Sequence, residues 1–526
     1  MKTADAETVT DLLTGAQMRA VEQGAIAAGN TSGLVLMERA AKGFVAAVYR
    51  EWDALFQGRL GKPTDFFASK KPYTVCIYCG PGNNGGDGFA IAQLLERQGW
   101  KVLLRFLGKP DKLPPDAAEM YRRWQAVGHN EERGRTPDLV IDALFGTGLT
   151  RPLEGQFAKA VSDISRLSLN APCVSVDLPS GLCADSGRVL GVAVHADLTV
   201  ATGPLKLGHV LADGPRHCGR VTIADLGVGA DPEDDAIVRV VTPASLDLPD
   251  MLRKSVEAHK FDYGHALVIA GGPGHGGAAR LAAAAALRIG AGAVTVAPPP
   301  EAMTENAARL DAVMVQSVPS AEVLTQHIAD RKINALCIGP ALGHDARALA
   351  LLDAALAARM PVVIDADALS LLARNETLQQ TLHSACVLTP HMGEFRRLAP
   401  DLAEKLSANP ERGPAYSRAD AARDLARRWG CVVVLKGADS IIAEPSGQVL
   451  VNAAVYDQAA PWLATAGAGD VLAGIILGLL ARGQRPLRAA AAATWIHAEA
   501  GRIFGPGLTA DDLPKVIPKV LARLAV

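Results

Sequence analysis

No long run of lysine or arginine occurs in this chain, and its formal net charge is only −2. The electrostatic footprint by which proteins hold nucleic acid is therefore missing, and small molecules are the expected partners. No apolar stretch reaches the ~20 residues that a membrane-spanning helix needs. The longest near the C-terminus, Val471 to Ala481, reads as a buried core helix. Met1 to Leu12 lacks the basic and apolar regions of a secretory signal, so a cytoplasmic protein without membrane contact is expected. Cysteines are few, eight in 526 residues, and scattered. The close pair, Cys76 and Cys79, falls in an apparent strand, where an odd spacing turns the side chains to opposite faces. That argues for core residues and against converging metal or redox ligands. Also absent is G-x-x-x-x-G-K-[ST], so a nucleotide must be held without a Walker-type loop.

What is present is an ordinary globular composition, 49% apolar with 51 glycines, over a length that exceeds the ~250 to 300 residues at which single cores stop growing. Two domains are expected. Short β-branched runs alternate with helix-like segments at Val75–Cys79, Val102–Phe106, Leu139–Asp142, Cys173–Asp177, Leu198–Ala201 and Val221–Ala224. Such alternation argues for a parallel sheet covered by helices on both faces. The polar, breaker-rich stretch 227–235 suits a linker. The rhythm restarts at Ala266–Ala270, Ala293–Ala297, Ala335–Ile338, Val362–Asp365, Cys386–Thr389 and Cys431–Leu435. The expected architecture is α/β, two tandem doubly wound domains over 1–240 and 241–526, unrelated by duplication.

In the first half the unusual residues follow the carboxyl ends of the proposed strands, where open parallel sheets bind ligands. Gly80-Pro-Gly-Asn-Asn-Gly-Gly-Asp-Gly88 leads into the helical pattern Phe89 to Arg97. It contains G-x-G-x-x-G, but the acidic residue expected after the next strand is replaced by Leu107-Gly-Lys109, which disfavours an ordinary dinucleotide grip. The two amides and the carboxylate of Asn83-Asn84-Gly85-Gly86-Asp87 offer oxygen ligands and orient a polar substrate; turn geometry alone would also use Asn and Gly. Asp142, ahead of Gly146-Thr147-Gly148, and Asp177, ahead of Ser180-Gly181, end two further strands. Three adjacent strand ends carrying acids favour a shared pocket.

In the second half Gly467-Ala-Gly-Asp470 opens the apolar helix. Backbone N–H groups at a helix start attract phosphate, and Asp470 beside them could take a proton from an attacking hydroxyl or simply cap the helix. His391, in Thr-Pro-His-x-Gly-Glu, is a candidate site residue. Asp365 and Asp367, two apart on a strand end, would share a face, their role open between holding a metal-nucleotide and fixing a loop.

Ala16-Gln-Met18, Leu36-Met-Glu-Arg-Ala40, the Asn-Asn-Gly-Gly-Asp loop, Asp142 to Gly148 and the Asp177 to Gly181 turn together resemble the NAD(P)HX epimerase domain, the YjeF N-terminal family, over most of residues 10 to 240. The resemblance implies a Rossmann-like domain that interconverts R- and S-NAD(P)HX, with Asp177 as acid or base and Lys206 as helper. It also implies substrate contacts from Asn83, Asn84, Gly85, Gly86, Asp87, Gly146, Thr147, Gly148, Leu149, Thr150, Arg151, Pro152 and Asp177. A potassium ion would rest on Asn84, Asp142 and Ser180, hard oxygen ligands of the kind an alkali cation needs.

The second half resembles the ribokinase-like superfamily through Gly-Ala-Gly-Asp. It is more closely similar to the ADP/ATP-dependent NAD(P)HX dehydratase domain, the YjeF C-terminal family, through His259-Lys260, Gly277-Ala-Ala279, Asp365-Ala-Asp-Ala-Leu369, Thr-Pro-His-x-Gly-Glu and Lys436-Gly437, over roughly 255 to 520. That implies phosphorylation of S-NADHX or S-NADPHX by ADP or ATP with Mg2+, then loss of phosphate. Ala278, Gly343, His391 and Asp470 would contact the hydrate, and Lys436, Gly437, Ala438, Asp439, Ser440 and Gly469 the adenine nucleotide. Ala341 stands where the family usually has glycine, and Phe261-Asp262 interrupt the usual Lys-Gly. A homo-oligomer is expected. A vitamin or sugar kinase with an N-terminal binding or scaffolding module is the rival reading.

Overall fold

The computed structural model describes residues 11–56, 72–126, 136–231, 234–330, 332–410 and 413–526. Most of the N-terminal segment read for export, and linker residues 232 and 233, lie outside them. The chain divides into two compact units. One runs to Asp234 and also takes in Ala408–Ser417, a segment that no sequence signal marked; the other comprises Asp235–Ser407 and Arg418–Val526. Among the described residues no helix is long and apolar enough to cross a membrane.

The first unit is built on β1 (Thr74–Cys79), β2 (Lys101–Phe106), β3 (Leu139–Ala143), β4 (Cys173–Val176), β5 (Leu198–Thr202) and β6 (Arg220–Ala224). All pairings are parallel, in the spatial order β2-β1-β3-β4-β5-β6. Strand β1 is buried at every position because helices cover both faces, which is why its sequence reads as a continuous apolar run. Cys79 packs into one core cluster and Cys76 into another, as their odd spacing requires. The chain leaves β1 in one direction to β2 and returns on the other side to β3, which opens a crevice between the ends of β1 and β3. Gly80 is obligatory there, since a Cβ would sit 1.8 Å from the Leu144 carbonyl oxygen. Helices α1 (Gly15–Ala27) and α2 (Gly33–Arg50) precede the sheet, and α3 (Asn83–Arg97) follows β1. The Asn-Asn-Gly-Gly-Asp segment, expected as a turn, is therefore the first turn of α3. Gly85 and Gly86 permit this, because their Cβ atoms would strike the Gly80 carbonyl at 2.0 Å and Met37 at 2.7 Å.

The second unit contains β7 (Val238–Val240), β8 (His265–Ile269), β9 (Ala293–Ala297), β10 (Met314–Val315), β11 (Ala335–Ile338), β12 (Val362–Ile364), β13 (Cys386–Leu388), β14 (Val432–Leu435), β15 (Asp439–Ala443) and β16 (Val449–Ala453). They lie in the order β7-β16-β15-β14-β13-β12-β11-β8-β9-β10. The strands from β8 to β14 are parallel, while β14, β15 and β16 run antiparallel. Strand β7 and the hairpin β15–β16 were not among the sequence expectations. The helices used below are α4 (Gly276–Arg288), α5 (Ala366–Ala373), α6 (Met392–Leu398), α7 (Ala468–Ala481) and α8 (Pro486–Phe504). Every residue from Val471 to Ala481 is buried, as expected of a core helix. Gly474 lets α7 approach α4 backbone to backbone: a Cβ there would fall 2.1 Å from the Ala282 carbonyl oxygen.

Asp365 and Asp367 do not share a strand face. Strand β12 ends at Ile364, Asp365 occupies the N-cap of α5, and Ala366 takes a left-handed φ of 48°, so Asp367 already belongs to the helix.

Candidate active sites

In the first unit the ends of β1, β3, β4 and β5 surround a cavity of about 520 Å³. Asn83, Asn84, Asp87, Gly146, Thr147, Gly148, Asp177 and Lys206 line it, together with Arg19, Glu22, Met37 and Thr202. Leu149 is buried in a core cluster, Thr150 and Arg151 are exposed and Pro152 is half-buried, and none of the four reaches the cavity wall.

Asp177 follows β4 in a left-handed conformation, φ 64°, rare for a residue with a side chain. Its Oδ1 accepts from Lys206 Nζ at 2.6 Å and from Thr202 Oγ1 at 3.0 Å. Lys206, fully buried, also donates to the Thr202 carbonyl at 2.7 Å. Burial alone would raise the Asp177 carboxyl, but Lys206, His209 and the hydrogen bonds outweigh it and hold the group below its ordinary value. Glu22 and Asp87 are shifted the other way, chiefly by desolvation, with Asp177 adding repulsion in both cases. One cavity thus sets an ionised carboxylate against two acids biased toward their protonated form, the separation by which environment assigns base and acid roles. Sequence reasoning missed Glu22; the signal was its position four residues after Met18, on the same face of α1.

Asp142 lies within β3, wholly buried, and is not part of the cavity wall. It accepts from Ser180 Oγ at 2.5 Å, Ser180 N at 2.8 Å, Ser175 Oγ at 3.0 Å and Leu144 N at 3.2 Å. Desolvation nevertheless raises its carboxyl above the ordinary value, partly countered by these bonds. Ser180 Oγ in turn accepts from Phe145 N at 2.9 Å. A Cβ on neighbouring Gly146 would meet Asp177 Oδ2 at 2.8 Å and Asn84 Oδ1 at 3.1 Å, so the oxygens of Asn84, Asp142 and Ser180 gather around one turn. That donor set fits a hard monovalent cation.

In the second unit Lys436, at the end of β14, joins the acids. Its Nζ lies 2.8 Å from Asp365 Oδ1, which is almost wholly buried, and 3.8 Å from Glu394 Oε2. A Cβ on Gly469 would come 3.4 Å from the same ammonium, so the basic group stands beside the first turn of α7. Gly467 forms the N-cap of that helix at φ 86° with no side chain capping the first N–H groups, of which that of Ala468 makes a long 3.4 Å bond to the Thr465 carbonyl. Asp470 sits in this first turn, its pKa raised to about 6, first by desolvation, then by Asp365, with Lys436 opposing.

His391 caps α6, its Nδ1 accepting from Gly393 N at 2.9 Å while Glu394 Oε2 accepts from His391 N at 2.8 Å; its side chain remains largely exposed. Gly343, at φ 87°, donates its N–H to Asp367 Oδ2 at 2.9 Å, so this aspartate fixes a loop. Ala341 carries a left-handed φ of 50°, the conformation that favours glycine there. Ala278 lies half-buried in the first turn of α4. Asp439 pairs with Arg418 at 3.1 Å, and Ser440 Oγ donates to the Gly437 carbonyl at 2.7 Å. These two side chains hold the β14–β15 turn, while Gly437 and Ala438 present backbone.

A family described as YjeF-related protein N-terminus matches residues 33–208, and one described as NAD(P)H-hydrate dehydratase matches residues 266–520. The bifunctional NAD(P)H-hydrate repair enzyme of Moorella thermoacetica is 34% identical, covering 98% of this chain and 97% of its own. That of Salinibacter ruber is 33% identical, covering 99% and 98%. Among solved structures, the ADP/ATP-dependent NAD(P)H-hydrate dehydratase from Bacillus subtilis, co-crystallised with ATP and Mg2+, is 27% identical with a TM-score of 0.46, over 54% of this chain and 98% of its own.

Proposed function

The chain belongs to the bifunctional NAD(P)H-hydrate repair enzymes, and from that membership we propose how its two units, with boundaries near residue 240, divide the work. The first interconverts R- and S-NAD(P)HX. The second dehydrates the S epimer to NAD(P)H, converting ADP to AMP, or ATP to ADP, with release of phosphate. One observation carries this reading: each unit sets an electrostatically tuned carboxylate near a lysine at the carboxyl end of a parallel sheet, Asp177 with the buried Lys206 and Asp470 with the half-buried Lys436.

Inverting the hydrated carbon calls for one group to accept a proton and another to supply one. Asp177, held ionised, is suited to accept; Glu22 and Asp87, biased toward protonation, are suited to donate. Asn83, Asn84 and Gly146 to Gly148 orient the polar substrate. Asn84, Asp142 and Ser180 would hold a potassium ion, whose charge would favour the ionised form of Asp142.

In the second unit the N–H groups of Gly467 to Gly469 receive the terminal phosphate, with Lys436 alongside. Gly437, Ala438 and the turn fixed by Asp439 and Ser440 contact the nucleotide. Ala278, Gly343 and His391 contact the hydrate. Mg2+, when bound with the nucleotide, neutralises phosphate charge. Asp470, near neutrality, takes the hydroxyl proton as the phosphoryl group transfers. Phosphate then departs far more readily than hydroxide would.

The test is a mixed R,S-NADHX sample given ADP or ATP, followed by NADH absorbance and phosphate release. Full conversion with one phosphate freed per NADH is expected. A stable phosphorylated alcohol without free phosphate would support the kinase reading, and conversion halting at the S fraction would remove the epimerase role.

A further inference from the structure

We infer that His209 is a positioning residue for epimerisation, holding both members of the Asp177–Lys206 pair through its two ring nitrogens. This rests on the proposed role of that pair.

The Lys206 backbone N–H points at His209 Nδ1 at 2.9 Å, and His209 Nε2 lies 2.8 Å from the Asp177 carbonyl oxygen. A backbone N–H can only donate, so Nδ1 accepts. A carbonyl can only accept, so Nε2 carries the proton. Nδ1 also lies 3.2 Å from the Lys206 carbonyl oxygen, but its shorter contact is the 2.9 Å one from the Lys206 N–H. The pair of shorter contacts favours one neutral tautomer, and the ring is fully buried. Burial, then the neighbouring Lys206 ammonium, push its pKa down to about 4, so it stays uncharged at neutral pH. At neutral pH the uncharged ring adds no second cation beside Lys206 and leaves the lysine as the charge partner of Asp177; only below about pH 4 does a protonated His209 join Lys206 in holding that carboxyl down.

The grip matters because Asp177 is strained. A residue with a Cβ at φ 64° persists only where its surroundings over-determine it. Asp177 N is bound to the Val200 carbonyl and Leu178 N to the Val176 carbonyl, both at 2.8 Å. The Asp177 carbonyl is held by His209. Releasing it would let the carboxylate swing from Lys206, while substrate contacts from α3 and the Gly146 turn stay in place. Asp177 and Lys206 are 29 residues apart in sequence, and His209 links the two loops that carry them.

The experiment compares His209→Ala, His209→Gln and Asp177→Asn in the full chain, with the second unit's dehydration of pure S-NADHX as internal control. Replacing a buried hydrogen-bond donor should lower epimerisation kcat roughly tenfold to a hundredfold in His209→Ala. KM should stay within about twofold, and His209→Gln, whose amide can still reach the Asp177 carbonyl, should recover most of the rate. A rise in KM at unchanged kcat, or equal losses in Ala and Gln, would overturn the proposal. Asp177→Asn inactive with His209→Ala unimpaired would sink His209 alone; Asp177→Asn fully active would sink the underlying pair as well. Nitrogen NMR of the parent protein at pH 7 is independent of whether the variants fold. It should show a protonated Nε2 and an unprotonated Nδ1; a doubly protonated ring or the opposite tautomer would overturn the assignment.

Discussion

Replacing Asp470 by asparagine should make the second unit more stable while greatly slowing its chemistry. Folding raises this carboxyl from 3.8 to about 6 by desolvation and the nearness of Asp365, with Lys436 only partly compensating. Because the folded carboxyl holds its proton more tightly than the unfolded one, its favourable contribution is complete below about 4 and is lost as pH rises through about 6. Two pKa steps at 1.36 kcal/mol each set an upper bound of about 3 kcal/mol against the native state at pH 8. The side chain is half-buried, and solvent screening leaves roughly 1 to 2 kcal/mol. Asparagine keeps the shape without the charge, so calorimetry at pH 8 should show the second unit's transition about 2 to 6 °C higher, with most of the gap closing at pH 4. Dehydration of S-NADHX should fall by roughly 10² to 10⁴, the usual worth of a general base, and the parent's kcat/KM should drop on the acid side near pH 6. A pH-independent stability difference would refute the electrostatic argument. Undiminished turnover would refute the proton-transfer role.

Asp177→Asn should lower epimerisation by about 10² to 10⁴ and leave dehydration of pure S-NADHX unchanged, read by chromatography of the two epimers. Its carboxyl is depressed in the folded state, so the stability it adds is present above the ordinary aspartate range and disappears as pH falls through its folded value; acid titration of the first unit's unfolding checks this. Lys436→Met leaves the Asp365 carboxylate buried and unpaired, which should cost about 3 to 5 kcal/mol. It also removes the cation that lowers Asp470, so the acid limb of dehydration should move above pH 6. Gly474→Ala places a Cβ 2.1 Å from the Ala282 carbonyl oxygen and should destabilise the second unit by roughly 1 to 3 kcal/mol, with the first unit's calorimetric transition unmoved.

The parallel cores were legible because strands covered on both faces are mostly apolar, as β1, β11 and β14 show, and as β3 shows apart from Asp142. Helix α7 was legible for the same reason: an all-round apolar helix has to be buried. The short hairpin β15–β16 was not, because Asp439 and Ser440 look like turn residues until Arg418 and Gly437 pair with them. The first turn of α3 was hidden by Asn-Asn-Gly-Gly, a poor helix sequence locally that is tolerated because only glycine fits against Gly80 and Met37. Asp365 and Asp367 misled because alternation was extended past the strand, which ends at Ile364, through Ala366, which turns left-handed.

The amino-acid order alone determined which acids, amides and glycines follow the strands, since period and composition are local properties that tertiary contacts do not alter. Only the folded molecule decided what those acids are. Asp177, Glu22, Asp87 and Asp470 have nearly the same intrinsic chemistry; distance to Lys206 or Lys436 and loss of water drive the first down and the others up. Proton affinity depends on neighbours brought together from distant parts of the chain, and no reading of spacing contains those distances.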